Sequence, residues 1–140
     1  MKKIFVDANI LVDFLDKSAR DHQTAVECLL IIRKHFGKPI VSPASFIIIN
    51  YLLQKTVRNK QWHRKQMQLV VSQLEFTHVL SGYIEEALQS KFIDLEDGLQ
   101  YQCALSVKAS AILTKDLHDY HASNIAVIHP FDFVNRYKQL

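Results

Sequence analysis

The sequence predicts an α/β fold in which a central parallel β-sheet lies between two layers of helices, a three-layer α/β/α sandwich. Short apolar segments alternate along the chain with longer segments of helical periodicity, and this alternation is typical of parallel strands joined by right-handed helical crossovers. The strand candidates are apolar throughout, as strands covered on both faces must be. With three glycines and three prolines among 140 residues, the connections should be short, and we expect one domain over residues 1–140.

The first strand candidate covers residues 4–6, and Asp7 ends it. Apolar residues then recur over residues 10–15 at the spacing of one helix face. The next helix begins at Asp21, a residue type that is common at the N-cap, and its apolar stripe ends near Gly37.

A second strand candidate covers residues 39–42. Pro43 suits the first turn of the helix that follows, because its missing amide hydrogen is not needed there, and this helix runs through Leu53. A further helix over residues 62–74 precedes a weak strand candidate over residues 76–80.

In the last third of the chain, Ser81 can act as the N-cap of a helix that ends near Ser90. Another apolar helix begins at Asp94 or Leu95 and extends to about Val107. The remaining candidates are a strand over residues 111–114, a strand over residues 126–128 and a closing helix over residues 131–137.

Composition excludes several classes of protein. The chain has neither a long apolar span nor an export signal, since Asp7 interrupts the first apolar run, and we therefore expect a cytoplasmic protein without membrane contact. Cys28 and Cys103 lie in apolar helical segments and are expected to be reduced core thiols. The formal net charge of +3 permits nucleic-acid binding without requiring it.

Carboxylates from distant parts of the sequence should meet at one edge of the sheet. Asp7 follows the first strand, and Asp116 lies two residues beyond the strand that ends at Thr114. Ligands of open parallel sheets bind beyond the carboxyl ends of the strands. A helix that leads into a parallel strand begins at that same edge, which adds three acids from the start of the helix before that strand: Asp94, Glu96 and Asp97.

Each of these acids also has an ordinary explanation, because Asp and Glu cap helices, favour helix N-termini and occupy turns. Taken together and without matching Lys or Arg, however, they would repel one another and raise their pKa values. A hard divalent cation removes that repulsion, and Mg²⁺ or Mn²⁺ prefers oxygen ligands. Asn9 could supply a neutral oxygen or orient a neighbouring carboxylate.

Other chemistries have weaker support. The chain has no glycine-rich phosphate loop and no nucleophile elbow. His118 and His121 flank Asp119, but a solvated turn explains them more simply than a metal site does.

A basic stretch surrounds the only tryptophan, Trp62, and can be interpreted in two ways. It is either a solvated connection between helices with Trp62 in the core, or a phosphate-contacting surface with Trp62 available for base stacking. The basic residues concerned are Lys55, Arg58, Lys60, Arg64 and Lys65.

Four segments, in the same order along the chain, resemble the conserved blocks of PIN-domain ribonucleases, which include VapC-type toxins. FVDANILVD at residues 5–13 is similar to their opening strand and helix, and EDGLQY at residues 96–101 to the start of their acidic helix. TKDLHDY at residues 114–120 and VIHPFDF at residues 127–133 are similar to their later segments.

The resemblance implies a PIN-like three-layer fold that cleaves RNA endonucleolytically with Mg²⁺ or Mn²⁺. Carried over by position, Asp7, Asp97 and Asp116 would be the catalytic acidic ligands, with Asp119 and Glu96 as further ligands or supports. Asn9 and Thr114 would hold Asp7 and Asp116 in place.

VapC-type toxins further imply an antitoxin partner and a homodimer, for which the apolar helix face around Ile47, Leu52 and Leu53 is a candidate contact.

One position departs from the pattern: Asn50 stands where much of the family has a glutamate on the helix after the second strand, and Asp94 could compensate. A catalytically weakened PIN-like domain that binds RNA or a partner protein therefore stays open. A phosphotransferase that uses Asp7 as its nucleophile is a third possibility, although that chemistry usually requires an acid where Asn9 stands.

Overall fold

The computed structural model describes residues 2–138 and contains a five-stranded parallel sheet with helices on both faces. The predicted fold class is confirmed. The sheet order is β3-β2-β1-β4-β5. The strands are β1 (Ile4–Val6), β2 (Ile40–Val41), β3 (Glu75–Phe76), β4 (Ala111–Leu113) and β5 (Ala126–Ile128). The helices are α1 (Ala8–Leu15), α2 (His22–His35), α3 (Pro43–Thr56), α4 (Lys60–Ser72), α5 (Ser81–Gln89), α6 (Leu95–Ser106) and α7 (Pro130–Tyr137).

The central strands β1 and β4 are buried on both faces, which explains their wholly apolar sequences. Successive residues of a strand point to opposite faces of a sheet. Val6 and Leu113 accordingly join a core cluster that includes residues of α1, α2 and α7. Phe5 and Ile112 join a second cluster with residues of α6 and of the turn at Tyr120.

The pairing register continues for one residue beyond several strands. The amide of Asp7 donates to the carbonyl of Leu113 at 3.0 Å, and the amide of Thr114 donates to the carbonyl of Ile128 at 3.1 Å. The first residues after the five strands therefore form one polar row along the carboxyl edge of the sheet. In sheet order this row is Thr77, Ser42, Asp7, Thr114 and His129.

Several element boundaries differ from the predictions by a few residues. β3 covers Glu75–Phe76 instead of residues 76–80; its pairing with the two-residue strand β2 ends at the Thr77 amide, which donates to the carbonyl of Val41 at 2.9 Å. Ser81 is the first residue of α5, not its N-cap; Leu80 occupies the N-cap position and makes no side-chain capping bond. Asp21 does occupy the N-cap position of α2, but its side chain does not cap the helix.

The basic stretch around Trp62 is not a loop with a core tryptophan. α4 begins at Lys60, where Asn59 caps it by accepting a hydrogen bond from the Trp62 amide at 3.0 Å. The Trp62 side chain is 55% exposed, which excludes the interpretation that places it in the core.

Cys28 and Cys103 are buried and unpaired, as predicted. Burial raises the pKa of the Cys28 thiol to about 12, which keeps it protonated. Over residues 2–138, no helix combines the length and the apolar character that crossing a membrane requires.

Candidate metal centre

An acidic cleft of about 260 Å³ opens where β1, β4, α3 and the start of α6 meet. Most of its lining side chains carry oxygen ligands: Asp7, Asn9, Asp94, Glu96, Asp97 and Asp116. The remaining lining residues are Ala8, Val12 and Ile48. The structure thus brings together the acids that follow two central strands and those that begin a helix, although Asp7 lies far from the other acids in the sequence.

Asp7 lies at the floor of this cleft and is only 5% exposed. Burial is the main cause that raises the pKa of its carboxyl group, and the nearby Asp116 raises it further. The hydroxyl group of Thr114 donates to Oδ2 of Asp7 at 2.8 Å and partly offsets these effects. The carboxylate is therefore fixed in position but incompletely stabilised in its charged form.

Thr114 and Asn9 connect Asp7 to Asp116 through neutral groups. Thr114 Oγ1 accepts hydrogen bonds from the Asn9 side-chain amide at 3.2 Å and from the Asp116 backbone amide at 3.1 Å. The Asn9 amide also donates to Oδ2 of Asp116 at 3.1 Å. The family resemblance implies that Asn9 and Thr114 hold Asp7 and Asp116 in place, and these hydrogen bonds are of that kind. Their effect on metal binding remains a prediction.

The start of α6 contributes a second group of carboxylates. Asp94 is the N-cap, and its Oδ1 accepts the backbone amide of Asp97 at 3.0 Å. Side-chain oxygens of Asp94, Asp97 and Asp119 all lie within 4.8 Å of one another. The sequence placed Asp94 only among the supporting residues, whereas this geometry makes it a candidate ligand as well as a cap.

Close packing holds this helix start in place. A Cβ atom added at Gly98 would lie 3.3 Å from the Cβ atoms of Ala87 and Phe92, which is tighter than ordinary van der Waals contact, so glycine suits this close approach. The neighbouring Asp97 is 7% exposed. Burial, followed by the charges of the other cleft acids and of Asp119, raises the pKa of Asp97 to about 7.

Among the described residues, no cationic side chain forms an ion pair with these carboxylates. The ion pairs of this part of the chain all lie elsewhere. Lys115 is adjacent to Asp116 in sequence, yet its Nζ contacts Asp13 at 2.6 Å and Asp21 at 3.6 Å. A set of several carboxylate oxygens and one amide, without a competing cation, is what Mg²⁺ or Mn²⁺ binds in proteins. The residues present therefore fit a divalent cation.

Tyr120 belongs to the surroundings of the centre, and the sequence reasoning did not single it out. It is 1% exposed, and burial together with the charges of Asp7 and Asp97 raises the pKa of its hydroxyl group. The phenol therefore remains protonated beneath the acids. Its position directly after Asp119, at the end of the acidic turn, was the available signal.

The proposed position of Asn50 at the centre is not what the structure shows. The residue of α3 that lines the acidic cleft is Ile48, and Asn50 is not among the lining residues. Two residues along an α-helix correspond to a rotation of about 200°, so these two side chains point away from each other. At the acidic cleft, α3 therefore contributes an aliphatic side chain and no carboxylate.

The histidines and the basic stretch lie outside the centre. His118 and His121 are exposed, and the ring Nδ1 of His121 contacts the carbonyl of His118 at 3.0 Å within the turn. Neither lies in the group of carboxylates that could share an ion, which supports the assignment of a solvated turn.

Comparison with known proteins gives a consistent result. Residues 3–118 match the family model of the PIN domain. The chain is 27% identical to Ribonuclease VapC1 of Aquifex aeolicus over 144 residues, an alignment that covers 99% of this chain and 98% of the relative.

Solved structures share the fold at low sequence identity. One neighbour is VapBC2 of Rickettsia felis bound to a DNA fragment from its promoter, with a TM-score of 0.66, 15% identity and coverage of 90% of this chain and 97% of that one. Another is a toxin–antitoxin complex from Klebsiella pneumoniae, with a TM-score of 0.68, 17% identity and coverage of 92% and 98%, respectively.

The raised pKa of Asp97 predicts a pH dependence for the metal-free protein. The folded state keeps this proton up to about pH 7, whereas the unfolded chain releases it near the ordinary aspartate pKa of 3.8. The folded state therefore binds more protons between these limits, and the free energy of unfolding should fall as the pH rises from about 4 to about 7. Asp97→Asn should flatten this profile.

Urea unfolding at several pH values in a chelating buffer measures the effect. Asp132→Asn, at an exposed position of α7, is the matched control and should keep the wild-type slope. Parallel profiles for wild type and Asp97→Asn would contradict the prediction.

Proposed function

The chain belongs to the PIN domain family, and from this premise we propose that it is an endoribonuclease that hydrolyses RNA phosphodiester bonds with Mg²⁺ or Mn²⁺. The observation that carries the proposal is the uncompensated group of carboxylates in the acidic cleft. The similarity to a protein named Ribonuclease VapC1 supports the choice of RNA as substrate.

The residues that would hold the ion come from three elements. Asp97 is central, since one of its oxygens lies within 4.8 Å of oxygens of Asp94 and Asp119, and Asp7 and Asp116 line the same cleft. When bound, the ion would supply an activated water and positive charge beside the scissile phosphate. Asn9 and Thr114 would keep Asp7 and Asp116 at a fixed separation, as their hydrogen bonds already do. Glu96, exposed at the cleft mouth, would support the site from outside.

We further propose that RNA contacts the basic stretch defined above. The side chains of Lys55, Arg58, Lys60, Arg64 and Lys65 are all exposed, as phosphate-binding residues must be. Trp62 is exposed among them and is available for stacking on a base.

An antitoxin protein is the partner that we propose for this chain, because the Klebsiella pneumoniae neighbour is a toxin–antitoxin complex. An almost wholly apolar cleft of about 290 Å³ between α1, α2 and α4 suits the apolar face of a partner helix. Leu30 and Leu69 line this α1–α2–α4 cleft and are 64% and 60% exposed.

The proposal includes a cytoplasmic location, where free thiols such as Cys28 stay reduced.

The proposed homodimer would use the outer face of α3. Ile47 is 69% exposed, and Phe46 and Tyr51 on the same helix are also exposed. Leu53 packs against the core and Leu52 is partly buried, so these two residues of the predicted contact are less available.

Sedimentation should show a dimer that Ile47→Lys converts to a monomer. A wild-type monomer at high micromolar concentration would contradict the proposed homodimer.

A catalytically weakened domain that only binds RNA or a partner remains the second candidate. It is favoured by one observation, namely that Ile48 brings no charge to the acidic cleft. Metal-dependent cleavage of RNA by the purified protein would reject it.

Removal of single carboxylates tests the proposed enzyme. Each of Asp7→Asn, Asp97→Asn and Asp116→Asn should lower the rate of Mg²⁺-dependent RNA cleavage by at least about a hundredfold, since each removes ligand charge from one shared ion. The fold should persist, because a neutral amide also relieves repulsion among the acids.

The assay measures cleavage of total RNA by purified variants, with circular dichroism as the check on folding. Asp132→Asn, which removes an exposed acid on α7, is the control and should cleave at the wild-type rate. Near wild-type rates for the three cleft variants would reject the assignment.

The aliphatic wall of the cleft gives a second test. Ile48→Glu should place an additional carboxylate at the centre and tighten Mn²⁺ binding by about tenfold, because affinity for hard cations increases with ligand charge. It should also lower the melting temperature of the metal-free protein and enlarge the upward shift on adding Mn²⁺.

Asn50→Glu is the matched control, since it adds the same charge two residues further along α3 and outside the cleft. Titration calorimetry and thermal melts compare the two variants. If Asn50→Glu strengthened Mn²⁺ binding and Ile48→Glu did not, the placement of α3 at the centre would be wrong.

A further inference from the structure

A groove of about 860 Å³ runs between the end of α1, the C-terminal half of α3 and one side of α4. Residues along its length include Lys17, Leu52, Lys55 and Gln66. Val12 lines this α1–α3–α4 groove and the acidic cleft alike. The two depressions are therefore adjoining parts of one surface.

Helix α3 gives the distance between them. Ile48 faces the acidic cleft and Lys55 lines the groove. Seven residues of α-helix correspond to a rise of about 10 Å. Nucleotides that directly adjoin a phosphate held in the acidic cleft would reach this far.

The chemistry of the groove differs from that of the cleft. Much of its surface is apolar, with Leu52 and Leu53 on the α3 side, and its two lysines lie on opposite walls, Lys17 after α1 and Lys55 on α3. Lys55 Nζ lies 4.4 Å from the centre of the Tyr51 ring, which keeps its charge near the rim.

One acid also lines the groove, but its carboxylate has partners. Oδ1 of Asp16 accepts hydrogen bonds from the backbone amide and the hydroxyl group of Ser18, at 3.0 and 2.6 Å. An apolar surface for bases and riboses, bordered by lysines for phosphates, has the composition of sites for single-stranded nucleic acid.

We propose that the α1–α3–α4 groove binds the single-stranded nucleotides on one side of the scissile phosphate, with Lys17 and Lys55 on the backbone and the leucines against the bases. This inference rests on the proposed ribonuclease function. The direction of the groove supports it, because positive charge continues past Lys55 to Arg58 and Lys60, away from the acidic cleft. A peptide segment of a partner protein is the competing occupant.

Charge reversal on both walls tests the inference in the full chain. Lys17→Glu and Lys55→Glu are compared with Lys34→Glu, which reverses an exposed lysine of α2 that does not line the groove. Binding of a fluorescein-labelled single-stranded RNA of about a dozen nucleotides is followed by anisotropy, with Ca²⁺ replacing Mg²⁺ to suppress cleavage. Melting temperatures verify the fold of each variant.

Each groove variant should weaken RNA binding by about tenfold and reduce the slope of log affinity against log salt by about one, whereas Lys34→Glu should match the wild type. With Mg²⁺, the loss in kcat/KM should be about tenfold larger on the long RNA than on a dinucleotide, which is too short to occupy the groove. Losses independent of substrate length would overturn the inference.

The outcomes separate the inference from its premise. If the wild type cleaves RNA and the groove variants bind RNA as Lys34→Glu does, the groove does not hold nucleotides, and the proposed function stands. If the wild type cleaves no RNA with Mg²⁺ or Mn²⁺, the proposed function fails, and the anisotropy result alone decides whether the groove binds RNA. Loss of partner-protein binding with unchanged RNA affinity would identify a protein site and overturn the inference.

Discussion

Repulsion among carboxylates is the constraint on which the arrangement of this molecule depends. The fold collects Asp7, Asp94, Asp97 and Asp116 in one cleft, and within residues 2–138 no lysine or arginine pairs with them. Neutral donors hold the acids apart instead. The hydroxyl group of Thr114 donates one hydrogen bond and accepts two, and it thereby fixes the spacing across β1 and β4 without adding charge. Such a site lowers the stability of the metal-free protein and raises the affinity for a cation.

Much of this arrangement could be predicted from local sequence. The ends of β1 and β4 are marked by the change from apolar residues to Asp7 and Thr114, and the rule that ligands bind at the carboxyl edge of a parallel sheet then places the acids together. What the sequence could not provide was the rotational phase of α3. Residues 46–49 are apolar throughout, so no periodicity indicated that Ile49 enters the core, Ile48 faces the acids and Ile47 faces solvent. The resemblance to the PIN family suggested Asn50 for this place, but the rotation of the helix keeps Asn50 out of the cleft lining.

The exposure of Trp62 could not be predicted from the local sequence either, for a different reason. An amphipathic helix with few apolar residues does not reveal whether its one large aromatic side chain lies on the inner or the outer face, because neighbouring elements decide this. The structure gives the inner positions of α4 to Met67 and Val70 and leaves Trp62 outside. The same tertiary information was needed to recognise that Val12 joins the acidic cleft to a groove, since the residues of that groove come from four helices and one turn.

The elevated pKa of Asp97 links metal uptake to proton exchange. A carboxyl group that is half protonated near neutral pH must lose its proton before both oxygens can bind a cation. If the cleft binds the proposed cation, uptake would release protons, and the enthalpy observed by calorimetry would depend on the ionisation heat of the buffer. A fall in pH and a fall in free Mg²⁺ would then act in the same direction on this cleft, so that its occupancy would depend on both concentrations together.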